Sequence, residues 1–412
     1  MQRRQFLTSS MALASGLVIP LGKNAWAATS NNATDRKLIV IMLRGAVDGL
    51  NVVTPYGDAN YRQLRPTIGL APPGQEDGAI DLDGYFGLHP TLHALQPLWE
   101  QKKLAFIHAS GSPDSSRSHF DAQAYLESGT PGIKRTQDGW MNRLLAALPA
   151  ESSPIRAISI GPTMPAILSG RALATNIGNT KASNNSPIDR PQVGDAFAQM
   201  YRNNEKFSKT YQDARSARKE IASAAMSPTM TQEMINANGG APLPNGFPKD
   251  AAHLATLMRN DPRIQMAFIA LGGWDTHANQ GAGKGQLANR LAPLGQGLAT
   301  LAEQLGPLFD DTTIVVMSEF GRTARENGNR GTDHGHGNVM WLLGGRVHGG
   351  KVHGDWQGLS SDKLNEGRDL PVTTDFRSVL AQMAERHLRL NDNQLTMVFP
   401  SGPGTSTLSL YV

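Results

Sequence analysis

The chain of 412 residues contains no cysteine, which excludes disulfides, thiolate metal ligands and cysteine nucleophiles. Charged residues are sparse at 18% against 39% hydrophobic, a balance that excludes an intrinsically disordered chain. Its 43 glycines and 25 prolines follow no collagen-like period and so mark loops. Beyond the N-terminal segment no apolar run is long enough to span a membrane. Internal repeats, heptads and a Walker-type phosphate loop are missing too. What remains is a large, loop-rich globular protein.

The first residues read as an address. Arg3-Arg4-Gln5-Phe6-Leu7 precedes an apolar stretch from Met11 to Leu21 and a small-x-small site, Ala25-Trp26-Ala27. Paired arginines ahead of a short apolar segment have the form of a twin-arginine signal peptide, residues 1–27, and predict a periplasmic or secreted protein. Cleavage after Ala27 removes Arg3, Arg4 and Lys23 and lowers the formal net charge from +4 to +1. With that, the case for a nucleic-acid or membrane-surface partner disappears.

In the remaining chain, apolar runs of strand length recur: Leu38 to Leu43, Leu104 to His108, Ala157 to Ile160, Met266 to Leu271, Thr313 to Met317 and Val339 to Leu343. Helix-period segments lie between several of them, including Leu92 to Gln101, His119 to Glu127 and Leu287 to Leu305. Continuous apolar strands alternating with helices predict an α/β fold, a mostly parallel sheet sandwiched by helices. We expect a single such domain over residues 36–412. A polar stretch at about 176–250 breaks the rhythm and reads as an insertion or cap, either a lid over a substrate site or a solvated helix with loops.

Ligands of open α/β sheets bind beyond the carboxyl ends of the strands. Asp48 follows the first run, Ser115, Arg117 and His119 the second, Asp275 and His277 the fourth, and Glu319 and Arg322 the fifth. Asp333-His334-Gly335-His336-Gly337 precedes the last; two imidazoles and a carboxylate so close in sequence, freed to bend by glycine, suit a divalent cation with N and O ligands such as Zn²⁺, Mn²⁺ or Fe. Each group also has a plain reading. Asp48 before Gly49 is a common turn pair, Ser115, Ser116 and Ser118 are potential helix caps, and the arginines are potential surface ion-pair partners. In the functional reading, Arg44, Arg117 and Arg322 fork onto a tetrahedral anion.

Leu43-Arg44-Gly45-Ala46-Val47-Asp48-Gly49-Leu50-Asn51, Arg117-Ser118-His119-Phe120-Asp121-Ala122-Gln123, Gly272-Gly273-Trp274-Asp275-Thr276-His277, Ser318-Glu319-Phe320-Gly321-Arg322-Thr323 and Asp333-His334-Gly335-His336-Gly337 together resemble a bacterial family of twin-arginine-exported proteins, the domain of unknown function family 1501. The resemblance runs over the whole chain after the signal and implies membership of the alkaline phosphatase and sulfatase superfamily. It implies an α/β sandwich with two adjacent divalent metals. Asp48 resembles the early metal carboxylate and Ser115 the nucleophile at a helix start, with Ser116 and Ser118 as alternatives. Asp275 and His277 resemble the mid-chain ligands of the other metal, and His334 or His336 its last ligand.

One segment departs from that pattern. Ser318-Glu319-Phe320-Gly321 stands where relatives carry Ser-Asp-His-Gly; Glu319 can still ligate, whereas Phe320 cannot, so His119 or Asp333 replaces the lost ligand or that metal is absent. Formylglycine sulfatase chemistry is disfavoured, since Gly111 occupies the position of the modified residue before Pro113. The resemblance thus implies an exported hydrolase with one or two divalent metals, acting on a small phosphate or sulfate ester or related anion. Its nucleophile is a serine or a metal-bound water, and Arg117 and Arg322 share the transition-state charge. The alternatives are a non-catalytic binding or assembly protein with a degraded metal site, and a one-metal enzyme of non-ester chemistry.

Overall fold

A computed structural model describes residues 35–149, 153–178, 228–404 and 408–412. The signal peptide and most of the expected insertion lie outside these residues. Every element described belongs to one compact unit, Asp35–Ala147 with Ser152–Val412.

Nine strands form the main sheet: β1 (Lys37–Leu43), β2 (Leu104–Gly111), β3 (Ala157–Ile160), β4 (Thr175–Ile177), β5 (Met266–Leu271), β6 (Thr312–Ser318), β7 (Asn338–Leu343), β8 (Lys351–His353) and β9 (Thr374–Asp375). The spatial order is β8-β2-β7-β6-β1-β5-β3-β4, with β9 also pairing β2. Within this sheet all pairings among the described residues are parallel except those of β7, which runs antiparallel to both β2 and β6. The mostly parallel α/β sheet read from the sequence is therefore present, with one reversed strand inside it. Because β1, β2, β5 and β6 all point the same way, the loops after them emerge at one edge, as does the loop that enters β7.

Burial explains why these runs are strands. All seven residues of β1 are buried, and their alternation sends Ile39, Ile41 and Leu43 into one core with Ile158, Ile269, Ile314, Val316 and Phe106. Helices α2 (Phe247–Asn260) and α3 (Gln286–Leu305) close that face, α3 through Leu287, Leu291, Leu294, Leu298, Leu301 and Leu305 at helical spacing. Each such leucine contributes about 1.5–3 kcal/mol of transfer free energy when fully buried.

Two boundaries shift from the sequence reading. Strand β4 extends the sheet into the start of the expected insertion, and α2 begins at Phe247, which is wholly buried in the main core. The sequence cue was polarity, and burial of an isolated aromatic outweighs it. Among the described residues, no helix is long and apolar enough to cross a membrane.

Candidate metal centre

Local chemistry fixes where each group at the sheet edge ends up. After β2 the chain enters helix α1 (His119–Ser128), capped by Ser118, whose hydroxyl accepts from the Asp121 amide, and ended by Gly129 in the left-handed region at φ +68°. His119 is thus the first helical residue. After β5, Trp274 is fully buried and its indole donates to the Leu271 carbonyl, so Asp275 turns inward and is only 1% exposed. Gly45 makes room for it: at φ +115°, a Cβ there would lie 2.7 Å from the Asp275 amide nitrogen.

The loop from β6 to β7 folds back on itself. Thr323 donates to Asp333, Gly335 to Gly321 and Gly321 to His336 through the backbone, which brings His334 back to the sheet edge. Gly335 again permits a close approach, since its Cβ would stand 2.5 Å from the Arg322 carbonyl carbon.

Four side chains converge as a result. His334 Nε2 lies 3.0 Å from His119 Nε2 and 3.0 Å from His277 Nε2, and 3.4 Å from Asp275 Oδ1. His277 Nε2 is 3.0 Å and His119 Nε2 3.5 Å from the same oxygen. Ligand atoms of His119, Asp275 and His334 all fall within 4.8 Å of one another.

The outer nitrogens decide the tautomers. His334 Nδ1 donates to the Arg117 carbonyl at 2.9 Å, His119 Nδ1 to Glu319 Oε1 at 2.7 Å, and His277 Nδ1 to Asp333 Oδ1 at 3.4 Å. Each ring, when neutral, then turns a lone pair toward the others at Nε2. Three converging lone pairs repel unless a cation lies among them. Tetrahedral ligation at about 2.0–2.1 Å separates ligand nitrogens by about 3.3 Å, close to the 3.0 Å from His334 to each of the other two rings, although His277 stands outside the group whose ligand atoms all lie within 4.8 Å of one another. Asp275 Oδ2 is buried and has no hydrogen-bond partner, an orphaned acceptor that a cation would satisfy. The donor set therefore fits a divalent metal with N and O preference.

Electrostatics agree. Burial opposes ionisation of Asp275, yet the Arg322 guanidinium and the imidazoles hold its carboxyl well below the ordinary range. Burial also opposes charge on His119, but Asp275 and Glu319 outweigh it and raise the imidazole to about 9. For His334 burial prevails and the shift is downward. Burial likewise opposes charge on His277, but Asp275 and Asp333 outweigh it and raise that imidazole, so without a metal protons on His119 and His277 compete with a cation for the same lone pairs.

The other sequence candidates are placed differently. Asp48 is not in the cluster, contrary to the expectation of a metal carboxylate: it is wholly buried and bound through both oxygens by Arg65. Ser115 is exposed in the loop, four residues before the helix, because Ser118 takes the cap. Among the described residues, no serine hydroxyl of 112–118 hydrogen-bonds to the cluster. Arg117 pairs with Glu366 at 2.9 Å and Asp369 at 3.3 Å, and it serves the cluster through its backbone carbonyl rather than its charge.

Arg322 is buried and bound to Asp275 and to the Gly45, Ala46, Trp274 and Thr332 carbonyls, so it braces a ligand instead of facing a substrate. Glu319 accepts from His119, from Gln123 and from the Gly45 amide and so orients a ligand; its carboxyl, though buried, is held down at about 2. Asp333 does the same for His277, its carboxyl lowered to about 2 chiefly by that imidazole. His336 points away, with Nε2 at 3.1 Å from the Asp114 carbonyl. Phe320 packs its ring 4.7 Å from His119 and 5.1 Å from His334, walling the cluster with hydrocarbon.

Sequence reading missed Arg65 and Gln280 and gave Gln123, though it lies in the Arg117 to Gln123 motif, no role; their roles arise from contacts with residues distant in sequence. The Gln280 carboxamide donates to Asp48 Oδ2 at 2.6 Å and accepts from the Thr276 hydroxyl at 2.6 Å and the Thr332 hydroxyl at 3.2 Å. No local pattern marks such a residue.

A family model described as "Protein of unknown function (DUF1501)" matches residues 98–399, which is most of the chain. The protein belongs to that family. Among curated proteins none matches the sequence. Solved structures similar to it include the lipoteichoic acid synthase LtaP from Listeria monocytogenes, at 11% identity and TM-score 0.38 over 79% of this chain and 70% of that one. The C-terminal periplasmic domain of EcEptC from Escherichia coli is similar at 9% identity and TM-score 0.41, covering 85% and 82%. A protein in the alkaline phosphatase superfamily from Vibrio parahaemolyticus is similar at 11% identity and TM-score 0.38, covering 77% and 62%.

Proposed function

We propose that this family member is a metal-dependent hydrolase of a small anionic ester, with His119, Asp275, His277 and His334 holding a divalent cation. The observation that carries the reading is the convergence of three Nε2 lone pairs on Oδ1 of a carboxylate whose buried Oδ2 has no partner. A nitrogen-rich donor set favours Zn²⁺, Mn²⁺ or Fe over Mg²⁺ or Ca²⁺. When bound, such a cation supplies Lewis acidity to a phosphoryl or sulfuryl oxygen.

The chain's own contribution is orientation. Glu319, Asp333 and the Arg117 carbonyl hold the three rings in one tautomer, and Arg322 fixes Asp275. Phe320 keeps water from one side. Since the loop serines do not reach the cluster, the reading is of water rather than Ser115 as the attacking group. Export through a twin-arginine signal at 1–27, and a single domain over 36–412, belong to the same proposal and rest on the sequence.

The test is metal analysis of the purified full chain, followed by a panel of phosphate mono- and diesters and sulfate esters before and after chelation. The expected outcome is bound metal and chelator-sensitive turnover, both lost in Asp275→Ala and His334→Ala. A folded protein that carries no metal and gains no thermal stability from Zn²⁺ or Mn²⁺ sinks the proposal. A second reading, a metal-binding scaffold without hydrolytic activity, draws on the commitment of Arg117 and Arg322 to protein groups. Metal retained with no turnover on any ester would favour it.

A further inference from the structure

The loops after β1, β5 and β6 each deliver a buried carboxylate to one sheet edge, Asp48, Asp275 and Glu319. Their partners differ. Asp48 Oδ2 accepts from Arg65 Nη1 at 2.6 Å and its Oδ1 from Arg65 Nη2 at 3.0 Å, a two-pronged grip on both oxygens. Gln280 takes the remaining place on Oδ2 at 2.6 Å. Arg65 is equally saturated: Nε donates to the Ala324 carbonyl at 2.9 Å, Nη1 also to Asn51 Oδ1 at 2.7 Å, and Nη2 also to the Thr323 carbonyl at 2.8 Å. A guanidinium has five N–H donors, and all five are used. Both side chains have zero exposure.

We propose that Arg65 is a built-in cation that permanently occupies the charge position of Asp48, so that the chain binds one divalent ion per molecule and not two. The inference rests on the metal reading of the His119, Asp275, His277 and His334 cluster. A second metal ion at Asp48 would have to part the guanidinium from its carboxylate in a dry site and leave the two donors now on Asp48 without acceptors, so a soluble cation does not compete. The internal cation also steadies the site that does bind. Through Gln280, the Arg65–Asp48 pair is tied to the hydroxyls of Thr276, which sits between Asp275 and His277, and of Thr332, two residues before His334.

Stoichiometry decides the matter. The full chain, stripped with chelator, is titrated with Zn²⁺ and separately with Mn²⁺ by calorimetry, and the bound metal is counted by native mass spectrometry. The expected result is one equivalent for the wild type and one for Asp48→Asn, with none for His334→Ala. Two equivalents of comparable affinity in the wild type overturn the proposal, as does loss of the single equivalent in a folded Asp48→Asn. Zero equivalents in the wild type defeat the underlying metal reading instead, so the two failures are distinct. Should Asp48→Asn not fold, the wild-type count alone settles the question.

Discussion

Asp275 and Asp48 are both buried aspartates at the carboxyl edge of one sheet, and each is paired with a buried arginine. Arg322 reaches only Oδ1 of Asp275, on which the three imidazoles also gather, and Oδ2 is left buried without a partner. Arg65 closes over both oxygens of Asp48. A carboxylate is available to a metal according to what its neighbours leave free, and position in the sequence does not reveal that.

The largest effect expected is from Asp275→Ala, which removes a ligand and leaves Arg322 buried without its anion. It should abolish metal binding and cost about 3–5 kcal/mol of stability, measured by chemical denaturation of metal-free protein. Asp48→Ala should cost a similar 3–5 kcal/mol, roughly, because Arg65 is stranded in the same way, yet leave the metal equivalent intact. If both variants lose metal, the distinction between the two aspartates fails.

The same contrast exists among imidazoles. His119 is raised by carboxylates, whereas His108 and His387 donate only to the Val53 and Lys37 carbonyls, and burial lowers each to about 4. A histidine whose folded pKa lies below its unfolded value binds fewer protons when folded. Its neutral burial is therefore tolerated above about pH 6.5, and stability is lost as pH falls from there toward 4. Each contributes up to about 3 kcal/mol to that loss, and denaturation midpoints at pH 7, 5.5 and 4.5 should decline in step. His108→Gln should flatten the decline; an unchanged slope would remove His108 from the account.

Smaller still is the effect expected of Glu319→Gln. It keeps the volume but replaces an acceptor of three donors with a group that is itself half donor, so His119 loses its fixed orientation. Metal affinity should fall about 10–100-fold with the fold retained, read by competition against a chromophoric chelator. A complete loss would instead mark Glu319 as a ligand.

Much of the fold was legible because buried parallel strands are written as unbroken apolar runs, and all six runs identified became strands of the main sheet. The reversed direction of β7 was not legible, since a run reads the same in either direction. Of the site, His119, Asp275, His277 and His334 are visible in the sequence as groups following or preceding apolar runs. Their separation from His336 is not: Gly335 allows either imidazole to turn inward, and the backbone pairing of Thr323 with Asp333 makes the choice. The exclusion of Asp48 depended on Arg65, a nearby residue in sequence whose aim is set by the Thr323 and Ala324 carbonyls far along the chain. Ser118 was one of three equivalent serines until the helix began at His119.

The one reversed strand among the described strands of the main sheet, β7, has a consequence for how this site can change over time. A crossover between parallel strands leaves one sheet edge and returns from the other, so alterations along it are spread over the molecule. The segment from Glu319 to Gly337 leaves β6 and enters β7 at one edge, with Val316 and Trp341 paired beneath it like the two sides of a clasp. It carries Glu319, Phe320, Arg322, Asp333 and His334 together. It is therefore a cassette: a recombination or design step that replaces this one contiguous stretch exchanges ligand, brace, orienting acids and apolar wall at a stroke, while the sheet on which they stand keeps its register.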